Sequence, residues 1–465
     1  MKNFLCPIAY HAHLSPKNIA LDNGSKTLSY AQAEMHIQNL QLYLQKFFVC
    51  SKIGILAHIS METILLYFAA MREGFSVCLM NPKDPTQLLE EKIKELDLSV
   101  LFINGEAFNQ NSSVNHEKST TYLYTSGSSA KPKIACISYS NLIYNALGLL
   151  NTLKLTSNSR YLLSLPLHHV SGLSILFRTF LSGATVVIPE PSYDLSNLLK
   201  ETSLTHLSLV STQYLYLLKT PNSSQKTLKS ILLGGSSFSN SSLQEGIDKQ
   251  LPIYLSYGLT EMSSTVCCNP LLKTKEPSHT GYLLPYRKLK ITEEGEILVG
   301  GETLFQGYYD VNTKSILKQN LWFPTKDLGE IDKGTLKVYG RKDRLIISGG
   351  ENIQPEEIEL ALLNIPEVKT ALVLPIPDEI FGQKVIAIID SDNYLSHETL
   401  HDHLQKSLPR YKLPKKYLPW PKHLKPEGLK ISSSLKKELI LYAITSMDLF
   451  HKQARLLPSA PISQK

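Results

Sequence analysis

Two hydrophobic periodicities alternate along the first hundred residues. Leu28, Ser29 and Tyr30 lead into apolar positions at helical spacing that run to about Phe47. Residues 52–58, KIGILAH, form a short continuous apolar run of strand type. Residues 60–72 return to helical spacing, with Ser60 placed to cap the first turn. Residues 75–80 predict a second buried strand, stopped by Asn81 and Pro82; residues 88–96 predict a charged helix and residues 99–103 a third strand. Strands separated by single helices predict a parallel, doubly wound sheet.

The rhythm resumes at residue 120. Tyr122, Leu123 and Tyr124 are of strand type, and the run breaks into Thr125, Ser126, Gly127, Ser128, Ser129, Ala130, Lys131, Pro132 and Lys133. Residues 134–137 continue the β pattern, and residues 141–153 read as a helix. Residues 161–165 form a strand ended by Pro166; after the His168-His169 corner, Ser171 caps a helix through Leu181. Residues 184–188, 206–210 and 230–233 are further strands, the last ending in Gly234, Gly235, Ser236 and Ser237. Residues 253–257 lead into Gly258, Leu259, Thr260 and Glu261. Ligands bind at the carboxyl ends of strands in such sheets, and three glycine or hydroxyl loops fall there.

From about Gly281 short strands, residues 296–299 and 336–338, alternate with turns, which predicts an antiparallel, barrel-like section. Gly340, Arg341, Lys342, Asp343 and Arg344 punctuate the chain. Beyond them, a helix (355–363), two strands (370–374, 384–389) and a helix (397–407) predict a small separate α+β domain. Residues 445–465 read as a frayed tail, and no internal repeat is found.

Composition narrows the class. A chain of 465 residues needs two or three cores. With 43% hydrophobic and 19% charged residues it reads as an ordinary soluble globular protein. No run approaches the ~20 apolar residues of a membrane span, and the apolar stretch in MKNFLCPIAYHAHLSPK is too short for a secretory signal. The six cysteines lack metal-ligand spacing, so reduced thiols in the cytoplasm are expected. The net charge of +7 is concentrated: residues 410–437 carry nine Lys/Arg against Glu427. Four prolines and the lack of a nucleic-acid module argue against nucleic acid there. A solvated basic surface and a contact for a polyanionic small molecule both fit.

The candidate chemistry starts at residues 125–133. A strand opening into small and hydroxyl residues offers backbone N–H and O–H donors that cradle phosphate oxygens, with Lys133 as fixed charge. The Walker spacing is absent. Taken alone, a short polar loop of this kind is more often a plain Gly/Ser turn.

The other motifs decide between the two. Thr125 to Lys133 resembles T-S-G-S/T-S/T-G-x-P-K, and Tyr257-Gly258-Leu259-Thr260-Glu261 resembles Y-G-x-T-E. Glu294-Gly295-Glu296-Ile297, Gly307-Tyr308-Tyr309, the run from Trp322 to Gly329, Gly340-Arg341-Lys342-Asp343 and Ser348-Gly349-Gly350-Glu351-Asn352-Ile353 follow in order. Together, over residues 20–437, they resemble the adenylate-forming superfamily of acyl-CoA synthetases, luciferases and peptide-synthetase adenylation domains. The resemblance implies an α/β fold: a large N-terminal domain, residues 1–342, of two doubly wound α/β/α sheets plus a distorted β-barrel, and a small mobile α+β C-terminal domain, residues 343–465. It also implies an ATP-dependent ligase using Mg2+, with CoA as co-substrate. A carboxylate attacks the α-phosphorus of ATP and a thiol then displaces AMP. The nucleophile is already an anion, so alignment and charge neutralisation replace a general base.

Residue roles follow from the resemblance. Thr125, Ser126, Gly127, Ser128, Ser129 and Lys133 hold the β- and γ-phosphates. Thr260 binds the α-phosphate and Glu261 holds Mg2+. Gly234, Gly235 and Ser236 line the adenine, with Tyr257 and Gly258 against the base. Asp327 binds the ribose hydroxyls and Arg341 assists there or at the phosphate. Asp343 is the hinge, and Gly349, Gly350 and Glu351 line the pantetheine channel. The C-terminal P-x-x-x-x-G-K is matched by KPEGLKI with one extra residue, which makes Lys430 the catalytic lysine and Lys425 and Lys436 the alternatives. Three positions depart from the pattern: Ala130 and Lys326 replace glycines, and Tyr139 replaces the histidine of S-H-x-N.

The acyl pocket indicates the acid. Residues 166–172, PLHHVSG, hold no carboxylate for an α-amine, which argues against an amino acid. Residues 163–184 most resemble the o-succinylbenzoate–CoA ligases of menaquinone biosynthesis. Ser171, Ser174 and Arg178 fall on one helical face, two hydroxyls and a guanidinium suited to a second carboxylate. A structural or surface arginine is the other reading of Arg178. His169 stands beside the reacting carboxylate. Another aryl or fatty acyl-CoA synthetase, and a nucleotide-binding homologue that has lost catalysis, stay open. The partners expected are small molecules, with no nucleic acid and no membrane span; a homo-oligomer is compatible with them.

Overall fold

The computed structural model describes residues 6–47, 52–98, 100–103, 106–108, 120–125, 132–201, 203–220, 227–235, 238–271, 280–378, 380–424, 435–436 and 438–446. Two compact units divide the chain, one holding most of the residues up to Val338 and one holding those from Tyr339 on.

The first unit carries two sheets. In the smaller, Lys52–Leu56 lies between Ser76–Met80 and Val100–Ile103, all parallel, as the alternating periodicities predict. Ser76–Met80 also pairs in parallel with Thr120–Thr125, which turns back antiparallel into Lys133–Ser138. Beyond it lies Gly307–Asp310, brought in from much later in the chain, and Ser315–Lys318 forms the edge. The larger sheet has a parallel half, in which Ser230–Leu233 pairs with His206–Leu209 and Ile253–Leu259. The antiparallel strands continue it. Ser264–Pro270 folds back on Ile253–Leu259, and Gly281–Leu283, Thr335–Arg341, Trp322–Asp332, Glu296–Gly301 and Arg287–Ile291 follow outward.

Local rules explain the element boundaries. Ser60 accepts from the Thr63 N–H at 3.2 Å and starts the helix Met61–Arg72. Ser138 and Asn141 form a reciprocal cap, 3.2 and 3.0 Å, at the start of Tyr139–Leu150. The Ser and Asn of the S-x-x-N motif thus serve the helix end. Tyr139, at the variable position, packs edge-on against Phe177. The helix after the histidine corner begins at Val170 with His169 at its cap position, so Ser171 lies inside the first turn and caps nothing. Gly172 is required there, since a Cβ would come 2.1 Å from the Pro166 carbonyl. The helices Pro7–Leu14, Leu195–Glu201, Ser211–Leu218 and Asn240–Asp248 escape the sequence pattern.

The core of this unit includes an aromatic pile: Phe68 meets Phe177 and Phe180 at 5.4 Å each, and Tyr67 meets Phe177 at 6.3 Å. Truncating a ring of this kind to alanine costs roughly 3–5 kcal/mol. Among the described residues no helix is long and apolar enough to cross a membrane.

The second unit packs Pro355–Leu363 and His397–Gln405 against the sheet formed by Val368–Asp378, Gly382–Ser391 and Lys416–Pro419. Arg344 ties this layer together by pairing with Glu356 at 2.8 Å and Glu359 at 2.7 Å.

Candidate active site

Thr125 and Lys133 face each other across the antiparallel register, and the Thr125 hydroxyl donates to the Lys133 carbonyl at 3.1 Å. The two ends of the phosphate-type loop are therefore pinned together. Ser126, Gly127, Ser128, Ser129 and Ala130 lie outside the described residues. Lys133 is exposed, and its ammonium sits 4.9 Å from the centroid of the Tyr308 ring.

Thr260, Glu261 and Met262 form a 3-10 turn between Ile253–Leu259 and Ser264–Pro270. Gly258 must be glycine, because a Cβ would lie 2.3 Å from the Ser264 carbonyl where the two strands close. The Glu261 carbonyl accepts from the Phe305 N–H at 2.8 Å, and its carboxylate accepts from the Tyr308 hydroxyl. Among the described residues no cluster of three or more His, Cys, Asp or Glu is assembled. A lone half-buried carboxylate fits Mg2+, a hard ion that takes few protein ligands when phosphates supply the rest.

The adenosine side is also assembled. Leu233 pairs with Leu255, so the turn after Leu233 lies beside Ser256 and Tyr257. The Ser256 hydroxyl donates to the Leu233 carbonyl at 2.8 Å and stands 2.5 Å from where a Cβ on Gly234 would be. Gly235 takes φ +73°. Ser236 lies outside the described residues. The Tyr257 hydroxyl donates to Asp327 at 2.6 Å. Burial and the Asp327 charge push the Tyr257 phenol well above its ordinary range, so it remains a donor. The Asp327 N–H is held by the Thr325 hydroxyl at 3.0 Å. Lys326, in the glycine position of the motif, has φ +63°, a left-handed conformation that glycine adopts without cost.

In the acyl region, His169 is exposed at the head of Val170–Leu181. The His168 ring lies 4.4 Å from it, tilted by 49°; burial and the neighbouring His169 hold His168 down at about 3, so it is neutral. Arg178 is only 1% exposed, which excludes the surface reading. Its Nε donates to the Ser174 carbonyl at 3.0 Å and its Nη2 to the Ser174 hydroxyl at 2.6 Å. The Tyr161 ring lies 5.4 Å away. Nη1 is buried with no partner among the described residues, and no carboxylate pairs with the guanidinium there. Burial lowers the Arg178 pKa, yet a guanidinium stays charged in a protein. The Ser174 hydroxyl donates to the Ser171 carbonyl at 2.9 Å and lies 3.3 Å from the Ser264 hydroxyl. Ser174 and Arg178 are thus in direct contact, while Ser171 joins through its backbone.

In the second unit, Arg341 grips Asp343 through two bonds, 3.0 and 2.9 Å. Gly349 and Gly350 take φ +60° and +85°, and the Gly349 N–H donates to the Phe381 carbonyl at 2.9 Å; Glu351 follows, exposed. Lys430 and Lys425 lie outside the described residues. Lys436 is half-buried; burial, then Arg344, lowers its pKa against Glu359, Glu356 and Asp343.

Tyr308, Tyr161 and Ser264 enter the site without having been singled out for a role. Tyr308 belongs to the G-Y-Y motif; Tyr161 and Ser264 carry no signal beyond ordinary strand and loop positions.

Residues 105–309 match the AMP-binding enzyme family, and residues 357–425 match the AMP-binding enzyme C-terminal domain. The 2-succinylbenzoate–CoA ligase of Salmonella typhimurium is 33% identical over 387 residues, 80% of this chain and 83% of that protein. The Escherichia coli enzyme of the same name is 32% identical, over 82% and 85%. Among solved structures, o-succinylbenzoate CoA synthetase from Bacillus subtilis in complex with its acyl-adenylate intermediate superposes with a TM-score of 0.80 at 27% identity, covering 90% of this chain and 95% of that one. The same enzyme in complex with ATP and magnesium ion gives 0.78 at 28%, covering 89% and 95%. The motif order, the α/β fold and these likenesses agree: the chain belongs to the AMP-binding, adenylate-forming enzymes and, within them, to the 2-succinylbenzoate–CoA ligase family.

Proposed function

We propose that this protein converts 2-succinylbenzoate to 2-succinylbenzoyl-CoA in menaquinone biosynthesis, an ATP-dependent acid–thiol ligation through an acyl-AMP. The observation that carries the reading is Arg178, a buried guanidinium with an unpartnered Nη1 and no protein carboxylate among the described residues. A buried charge without a counter-ion costs several kcal/mol. A dicarboxylate whose second carboxylate reaches Nη1 offsets that cost; a fatty acid or simple aryl acid does not.

In the first half-reaction one carboxylate oxygen of the acid bonds to the α-phosphorus and the bond to pyrophosphate breaks. Lys133 and residues 125–129 neutralise the leaving β- and γ-phosphates, and Thr260 donates to the α-phosphate. Glu261 holds Mg2+, which draws charge from the phosphate oxygens. Tyr257 packs on the base beside Gly234, Gly235, Ser236 and Gly258, and Asp327, aligned by Tyr257, accepts from the ribose hydroxyls. His169 borders the reacting carboxylate, and Ser171 and Ser174 line the pocket with Arg178. Lys430 bridges the carboxylate and the α-phosphate. In the second half-reaction the CoA sulfur bonds to the acyl carbon, AMP leaves and the thiol proton passes to solvent. Residues 343–465 turn about Asp343 between the two steps, bringing Gly349, Gly350 and Glu351 to the pantetheine, with Arg341 released to the nucleotide. Among the described residues no two cysteines are joined in a disulfide, which supports a reducing cytoplasmic setting.

Pyrophosphate release tests the reading. Release with 2-succinylbenzoate and not with benzoate or fatty acids is expected. Release with fatty acids alone removes the substrate, and a failure to release pyrophosphate with any acid removes the enzyme.

A further inference from the structure

Resting on that reading, we propose that Tyr308 is a positioning residue for the metal site: its hydroxyl orients the Glu261 carboxylate while its ring keeps the Lys133 ammonium apart from that carboxylate. Lys133 and Glu261 have opposite charges and separate tasks. One meets the phosphates, the other the cation that neutralises them. Opposite charges brought close together attract, and a direct contact between the two would have to be broken before nucleotide binds. Among the described residues no ion pair joins them. Tyr308 touches both, with its hydroxyl on Glu261 and its ring 4.9 Å from the Lys133 ammonium.

The placement of that ring follows from the fold. Tyr308 lies on Gly307–Asp310, opposite Ala135 of the strand that begins with Lys133. Phe305 fixes it edge-on at 4.9 Å, with Phe323 at 6.4 Å. Phe305 also donates its N–H to the Glu261 carbonyl at 2.8 Å. One short segment therefore positions backbone and carboxylate of Glu261 together. The bond from Tyr308 is to Oε1, so Oε2 is the oxygen that would meet a cation. Hydrogen bonds of this kind to a ligating carboxylate are worth about 10–100-fold in metal affinity.

Tyr308→Phe separates the two roles, because it keeps the ring over Lys133 and deletes the hydroxyl. The probe is Mn2+ with ATP, read as free Mn2+ by electron paramagnetic resonance; metal-free ATP binding in EDTA is read by calorimetry. The expected result is a Mn2+ dissociation constant raised about tenfold with metal-free ATP binding unchanged. The Mg2+ concentration for half-maximal pyrophosphate release should rise in parallel, with the rate recovering at excess Mg2+. In a Glu261→Gln background the same substitution should have no further effect on Mn2+. Unchanged Mn2+ affinity in Tyr308→Phe, or an equal loss of metal-free ATP binding, overturns the proposal. Failure of the unsubstituted protein to bind Mn2+ with ATP overturns the functional reading instead.

Discussion

Replacing Arg178 with methionine should make the free protein more stable and the enzyme far worse. The side chain is 1% exposed and lacks a carboxylate partner among the described residues. Its charge is offset by two bonds to Ser174, 3.0 and 2.6 Å, and by the Tyr161 ring at 5.4 Å. Those contacts offset only part of the cost of burying the ion, because no opposite charge pairs with it among the described residues and Nη1 has no partner there. Methionine fills a similar volume without charge, and the Ser174 hydroxyl keeps its bond to the Ser171 carbonyl. A net gain of about 1–2 kcal/mol is expected, which for a unit of this size raises the melting temperature by about 1–3 °C. With 2-succinylbenzoate, loss of the buried charge pair should lower kcat/KM about 100–1000-fold, ~3–4 kcal/mol. A monocarboxylate analogue with no group for Nη1 should lose less than about threefold. Differential scanning fluorimetry and coupled pyrophosphate release read the two effects. A lower melting temperature, or equal loss on both acids, refutes the argument by making Arg178 a structural residue.

Other outcomes follow from single contacts. Lys326→Gly should stabilise the first unit by about 1 kcal/mol, since φ +63° costs a non-glycine residue that much; a lower melting temperature would contradict it. Tyr257→Phe should raise the KM for ATP about 3–10-fold by freeing Asp327, with little change in kcat; an unchanged KM would show that Asp327 needs no orientation. His206 is held at about 4, below its ordinary 6.5, by burial first, with its ring nitrogens on the Leu153 carbonyl at 2.8 Å and the Thr205 hydroxyl at 2.7 Å. Its folded pKa is depressed, so the unfolded chain takes up the proton first. Stability should fall from pH 6.5 towards pH 4, and His206→Gln should flatten that fall in pH-dependent melting. An unchanged slope would exclude His206 as the cause.

Much of the fold is legible because its signals are local. Ser60 caps its helix as its position predicts, since the bond spans three residues. The buried strands 52–56 and 76–80 are continuous apolar runs, and the loop from Thr125 to Lys133 declares itself by composition. Ser171 misleads for the opposite reason: a serine two residues after a histidine corner looks like a cap, yet the helix begins one residue earlier. The site is only half legible. The motifs name Tyr257, Glu261 and Asp327, but their partners lie far away in sequence. Tyr257 and Asp327 meet across 70 residues, Glu261 and Tyr308 across 47.

The sequence by itself determined the order of strands and helices, the positions where loops must be small or polar, and the chemical types available at each. Backbone propensity, capping and periodicity act within a few residues, so they are written in consecutive positions. Only the tertiary structure decided that Arg178 is buried without a counter-charge among the described residues, that Lys326 carries a left-handed backbone and that one tyrosine contacts both Lys133 and Glu261. Desolvation and hydrogen bonding depend on which distant segments exclude water around a group. Those segments become neighbours only when Gly307–Asp310 joins the smaller sheet and Trp322–Asp332 joins the larger.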